Sequence, residues 1–388
     1  MYDNQKSLNP FLQFYGQHNI SPVHQNVTEE LEYYTHLLRR EKLYRMLGLP
    51  PVAFFNRNVL EIGPGGGVNS LAFFAWRASV DFVEPNPKAQ EELLHLMKEK
   101  KIEDKRWKLF QERIESFEPD QLYDVVVAEG FIPGINNRQD VVEKIERCLK
   151  PGGVVVITCV DDVSIFCECL KRIVATQLTW EIDNIADKIN VLVRAFSSHL
   201  AYLKHASRPV EDWVTDMFLN PAFFAQLFAI DDCLNEMMHS YDFMGSSPAL
   251  FTDYSWYKDM EQNRNELILE QFYQKRHTLL LSDLPESIRP VEENEKLFQA
   301  MRDLRSLLAI AQDNFAIYIP AFIRELGNIR SITNNIDIRI TEAIDETCAL
   351  LMNPNLCAEH VGKAEKLAAA FGRGQQYVSM VKKYEYYK

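Results

Sequence analysis

Val59-Leu60-Glu61-Ile62-Gly63-Pro64-Gly65-Gly66-Gly67-Val68-Asn69-Ser70 is the stretch that decides the reading of this chain. A short apolar run meets four glycines in five positions and then gives way to a helical pattern, so a strand turns sharply into a helix. Glycines at 63, 65 and 67 let a ligand lie against bare backbone where any Cβ would collide with it. A dinucleotide turn, G-x-G-x-x-G, needs its third glycine at the position held by Val68. Glu61 also sets a carboxylate beside the turn, which repels a diphosphate and suits a cationic ligand. A tight turn with no ligand is the plainer reading, and the glycine density argues against it.

Working outward, short apolar runs recur at 79–83, 108–110, 124–128 and 154–158, most of them rich in β-branched residues. Helical patterns lie between them, at 87–100 and 138–149, and an amphipathic helix over 28–48 precedes them, with Leu31, Leu37, Leu38, Leu43 and Leu47 as its apolar residues. Strand and helix alternating at this spacing predict βαβ units and a mostly parallel sheet covered on both faces. Ten of the fifteen glycines fall within residues 1–153, so the α/β part comes first and a helical part follows. Helical periodicity fills 163–205, 211–240, 257–275, 292–313 and 337–352. Arg276 to Ser282 and Phe315 to Pro320 read equally as late strands or as buried helix.

The order of these motifs resembles the class I S-adenosylmethionine-dependent methyltransferases. The family's first motif, an acid followed by a glycine-rich turn, matches Glu61, Gly63, Pro64, Gly65 and Gly67. Asp81-Phe82-Val83-Glu84-Pro85-Asn86 resembles the end of its second strand, which implies that Glu84 accepts from the two ribose hydroxyls, with Pro85 beside it. Phe110-Gln111-Glu112-Arg113-Ile114 falls where the family binds adenine, implying Glu112, Arg113 and Ile114 there, with Glu115 or Glu118 as replacements for Glu112. Asp124 to Gly130 resembles the fourth strand, whose end, at Glu129, faces the transferable methyl; Leu149-Lys150-Pro151-Gly152-Gly153 resembles the turn into the fifth. The matches cover roughly residues 55–160. What they imply is an α/β fold with a Rossmann-like sheet and a large added α-helical region, and S-adenosyl-L-methionine as cofactor.

The implied division is an N-terminal helical lid over 1–50, a cofactor-binding domain over 51–175, and a mainly helical region over 176–388 that binds the acceptor, forms oligomers or returns the last strands. Phe14 to Gln25, with its aromatic, amide and imidazole groups, is the segment expected to cover the cofactor. Transfer from a sulfonium needs alignment above all, and a general base only for a hydroxyl or protonated amine acceptor. Glu129 and His18 are the first candidates for that base, with His24 and His199 behind them. Asp161 and Asp162 follow the fifth strand, but no downstream Asp-Asn partner accompanies them, so no metal is expected.

Residues 213–257 carry eleven aromatics, and Tyr254, Trp256 and Tyr257 lie there among polar groups. Rings with a few hydroxyls suit a sugar, a nucleotide-sugar or a secondary metabolite as acceptor, while the phenylalanines read as core. The alternative is a non-catalytic protein, or another transferase on the same scaffold, whose helical half binds a partner. Composition narrows the partners. The formal charge of −13 disfavours a phosphate backbone, so no nucleic acid is expected. No apolar run is long enough to span a bilayer, and the first residues lack a secretory pattern, so the cytoplasm is the expected compartment. Seven scattered cysteines read as free thiols, and the helical region offers a homodimer interface.

Overall fold

The computed structural model describes residue 14 and residues 30–135, 137–203, 209–258 and 264–384. His18, His24 and residues 15–25 of the expected lid lie outside the described residues.

Helix α1 (Glu30–Met46) leads into β1 (Asn58–Ile62), the glycine turn and α2 (Leu71–Ala75). Then come β2 (Ser79–Val83), α3 (Pro87–Glu99), β3 (Trp107–Phe110), β4 (Tyr123–Ala128), α4 (Arg138–Cys148) and β5 (Leu149–Val160). Helices α5 (Phe166–Thr179), α6 (Ile185–Leu200), α7 (Val210–Val214) and α8 (Ile230–Met237) precede β6 (Tyr241–Ser247). After it run α9 (Arg264–Lys275), α10 (Val291–Ile310), α11 (Phe315–Thr333), α12 (Ile338–Leu351), α13 (Ala358–Gly362) and α14 (Glu365–Ala369), and β7 (Gln375–Lys382) closes the list of strands.

The seven strands form one sheet in the order β3-β2-β1-β4-β5-β7-β6. β1 pairs in parallel with β2 and β4, β2 with β3, and β4 with β5, as the alternating pattern predicts. β6 and β7 pair antiparallel to each other, Tyr241 opposite Lys382 and Ser247 opposite Tyr377. Lys382 at the end of β7 donates to the carbonyls of Glu146 in the last turn of α4 and Leu149 at the start of β5, so β7 runs back against its neighbour.

The chain divides into two compact units, each discontinuous in sequence. The first comprises Met1–Cys159, Ala225–Phe272 and Gln375–Lys388, and holds the sheet; the second comprises Val160–Phe224 and Tyr273–Gly374, and is helical. The last two strands, from 241–247 and 375–382, belong to the first unit, and the segment between β5 and residue 224 belongs to the second. Of the two segments left open as strand or helix, Arg276–Leu279 is a 3₁₀ turn and Phe315–Pro320 begins α11. Buried apolar runs of that length carry no period of their own, and here the neighbouring helices continue through them.

In the first unit the core gathers Tyr44, Phe54, Phe73 and Trp76, whose ring centroids lie 5.0–5.9 Å apart. Such offset and edge contacts add to the burial of the rings themselves. Of the leucines expected to face the core, Leu37 and Leu43 pack against it and Leu47 is buried just past α1. The buried residues of α1 itself are His36, Arg40 and Tyr44, at i, i+4 and i+8, while Leu31 is 75% exposed. A helix that hides an imidazole, a guanidinium and a phenol must be covering polar partners, and those partners are at the site.

Candidate ligand site at the glycine turn

Gly63, Gly65 and Gly67 all have positive φ, between 58° and 80°, which an L side chain adopts only with strain. At Gly67 there is a second reason: a Cβ would come within 2.2 Å of Leu93 on α3, so glycine lets that helix pack against the turn. Gly63 is half-exposed, and a Cβ there would meet Phe131, just past β4, at 3.7 Å. Pro64 and the glycines that follow are buried.

Three carboxylates end the strands around this turn. Glu84, past β2, accepts from Gly65 N at 3.0 Å and from Asn86 N at 2.8 Å, and burial raises its carboxyl above the usual range against the pull of those two amides. Pro85 beside it is half-buried. The bond from Glu84 N to Phe110 O at 3.1 Å brings the end of β3 alongside, and Glu112 follows two residues further on. Arg113 there forks onto Glu115 at 2.7 Å, and Ile114 is buried. Of the acids proposed to replace Glu112, Glu115 is thus engaged, and Glu118 accepts from Lys144.

Glu61 is buried and accepts from Ser70 Oγ at the start of α2. Burial pushes its carboxyl up to about 8, so at neutral pH it is largely the neutral acid. Its hydrogen bond therefore braces the turn from inside.

Glu129, past β4, holds the third carboxylate. Continuing the β1–β4 register beyond Glu61 opposite Val127 sets Glu129 level with Gly63. Arg40 grips it with Nη1 and Nη2 at 2.8 and 2.7 Å, and Tyr44 donates its hydroxyl at 2.8 Å. Burial opposes the Arg40 charge, yet Glu129 outweighs it and raises the guanidinium above its usual range. Tyr44 is likewise held protonated by burial and by Glu129. His36 completes the stripe: its Nε2 lies 3.2 Å from Val68 O, and burial together with Arg40 lowers it to about 4. Three donors thus hold the two oxygens of Glu129 in place. Arg40 and Tyr44 were not foreseen from the sequence; the signal was their spacing with His36 on one helix face.

The remaining candidates divide cleanly. His199 is a core residue, fully buried with Nε2 2.9 Å from Val361 O and lowered to about 4 by burial. Asp161 is paired with Arg276 at 2.8 Å and Asp162 with Arg305 at 2.5 Å, so both carboxylates are committed to arginines. Tyr254, Trp256 and Tyr257 stand on an exposed loop, with Tyr254 93% exposed. That loop follows a cavity of about 140 Å³ lined by Met46, Phe243, Met244, Phe251 and Asp253. Most of the other rings of the tract fill cores, as Trp213, Phe218, Phe228 and Tyr241 do.

The half-exposed backbone at Gly63 and the Glu84 carboxylate bonded to the turn fit a nucleoside.

Residues 31–210 match the family model of a methyltransferase domain. No curated protein matches the sequence. Among solved structures the chain is similar to the "StiE O-MT" fragment at 19% identity, over 33% of this chain and 44% of that one, with a TM-score of 0.29. It is also similar to the N-methyltransferase NodS from Bradyrhizobium japonicum WM9 in complex with S-adenosyl-L-homocysteine, at 16% identity over 40% and 75% of the two chains, TM-score 0.31. The glycopeptide N-methyltransferase MtfA complexed with S-adenosyl-L-methionine is similar at 20% identity over 27% and 48%, TM-score 0.25. The chain thus spans less than half the length of the first and third of these proteins.

Proposed function

We propose that this chain, a member of the class I S-adenosylmethionine-dependent methyltransferases through its residues 31–210, transfers a methyl group from S-adenosyl-L-methionine to a small or medium-sized acceptor. The observation that carries the reading is the glycine turn with Glu84 bonded to its backbone, on a sheet of order 3-2-1-4-5-7-6. When bound, the cofactor supplies a methyl group on a sulfonium, already a good leaving group.

The chain's own contribution is placement. Glu84 offers a carboxylate to vicinal hydroxyls, and the segment 110–114 next to it receives the base. Phe131 and Gly63 border the half-exposed part of the turn, where a ring face favours a cation. Alignment of this kind supplies about 7–11 kcal/mol of a displacement barrier. Glu129, held by Arg40 and Tyr44, keeps its place in this scheme as a positioning group.

For the acceptor, we favour a sugar, a nucleotide-sugar or a secondary metabolite. The cavity by β6 supports this reading, with apolar Met46, Phe243 and Phe251 beside the acid Asp253, and with the exposed rings Tyr254, Trp256 and Tyr257 following it. Met46 lines it, and it lies six residues along α1 from Arg40, roughly 9 Å by helical rise. Incubation with cofactor labelled in the methyl group, followed by fractionation of a cell extract, tests the class. Label is expected in a low-molecular-weight fraction; label confined to protein or nucleic acid contradicts it. The cytoplasm is the compartment this reading suits, and no described helix is long and apolar enough to cross a membrane.

A further inference from the structure

In the helical unit, the turn between α12 and α13 brings a thiol, an imidazole and an amide together. Cys357, just before α13, has its Sγ 3.2 Å from Nδ1 of His360. Asn353 is fixed by its own turn, its Oδ1 accepting from Asn355 N at 2.9 Å, and its Nδ2 lies 3.4 Å from the same ring nitrogen. An amide nitrogen only donates, so Nδ1 is the accepting nitrogen of that ring and Nε2 carries the proton. The thiol therefore donates to Nδ1. Glu359 is a second acceptor, its carboxyl held below the usual range first by the hydrogen bond from Cys357, with Arg194 on α6 adding to the effect. Ser198 Oγ donates to Gly362 O at 3.0 Å and His199 Nε2 lies 2.9 Å from Val361 O, so α13 is tied to α6 and the corner is held by the fold.

A nucleophile within reach of a base, with a third group orienting that base, is the arrangement that removes a proton as attack begins. The other six cysteines are placed differently. Cys148, Cys159, Cys167, Cys169 and Cys233 are buried. Cys348 is half-buried, as Cys357 is, but burial pushes its thiol up to about 11, with Asp345 adding to the rise. We propose that Cys357 is a modification site, where His360 takes the thiol proton while the sulfur exchanges with a low-molecular-weight disulfide. The Cys357 sulfur forms a new S–S bond to one half of the disulfide, and the disulfide's own S–S bond breaks. The other half leaves with the electron pair as a thiolate, which the proton on His360 neutralises. The protein thiol is oxidised and half of the disulfide is reduced, so the disulfide is the only oxidant the step uses, and excess free thiol reverses it. The inference goes beyond methyl transfer, and its test uses no cofactor.

Glutathione disulfide is the probe, added to the full chain, with the adducts located by peptide mass mapping. The adduct should form at Cys357 about tenfold or more faster than at Cys348. His360→Gln should slow the reaction at Cys357 about tenfold or more while the circular dichroism stays that of wild type. Wild-type protein separates activation from mere access and decides the matter if His360→Gln does not fold. Cys357 should react faster in the folded chain than in the chain unfolded in urea, where access is complete but the imidazole is no longer held beside the sulfur. Slower reaction in the folded chain, adducts shared evenly between Cys357 and Cys348, or a rate indifferent to His360→Gln overturns the inference.

Discussion

Asp161 and Asp162, just past β5, each end in a short ion pair with an arginine, whereas Glu61 and Glu84, at the ends of β1 and β2, are bonded to a hydroxyl and to backbone amides. All four side chains are buried, so the difference lies in what neutralises them. Asp161 and Arg276 are both under 3% exposed, with the guanidinium also lying 3.6 Å from the Phe298 ring centroid. Acids satisfied by internal cations hold a structure together. Glu61 and Glu84 are instead bonded to dipoles, a hydroxyl for the first and two backbone amides for the second.

That contrast breaks most visibly at Arg276. Arg276→Met leaves Asp161 buried and unpaired, and should lower stability by about 3–5 kcal/mol in urea unfolding. Any molecules that remain folded should bind S-adenosyl-L-homocysteine as before. Gly65→Val acts the other way round. A β-branched residue at φ 58° in a buried turn should reduce binding by more than about a hundredfold, roughly 3 kcal/mol, with a smaller loss of stability. Third in size is Glu84→Ala, expected to weaken the nucleoside about ten- to a hundredfold, and to weaken 5′-methylthioadenosine as much as S-adenosyl-L-homocysteine.

Glu61 gives a pH signature. Its carboxyl is raised from 4.5 to about 8, so the folded chain holds a proton that the unfolded chain releases between those values. The stabilisation is therefore complete below the unfolded value and is lost as pH rises through about 8, with a slope of up to about 1.4 kcal/mol per pH unit. Glu61→Gln should remove that slope; an unchanged slope in chemical denaturation at pH 5 to 8 would show that Glu61 is not its source. The smallest effect is at Trp256, 57% exposed, where Trp256→Ala should change stability by less than about 0.5 kcal/mol. If the acceptor reading holds, it still lowers methyl transfer to the natural acceptor.

How far the sequence could be read follows from where its periodicity is undisturbed. β1, β2, β4 and β5 were legible because each carries β-branched residues bounded by glycine or charge, β3 as the short apolar run in step with them, and the glycine turn named its own backbone conformation. β6 was hidden because Tyr241 to Ser247 falls in an aromatic tract between the helical stretches 211–240 and 257–275, and its pairing partner β7 is more than a hundred residues away. No local rule reports a partner at that separation. Glu84 and Glu129 were found where the strands end, but the role of Glu129 depended on Arg40 and Tyr44. A charged residue on a helix ordinarily marks the solvated face, so its burial emerges only once the end of β4 is seen opposite it.

The most direct test is a titration of purified wild-type protein with S-adenosyl-L-homocysteine in a calorimeter, with circular dichroism on the same sample. Saturable binding at one site per chain, on the order of micromolar, is expected. A folded, helical protein that releases or absorbs no heat of binding up to millimolar ligand, roughly the weak end of specific recognition, would contradict the account at its root.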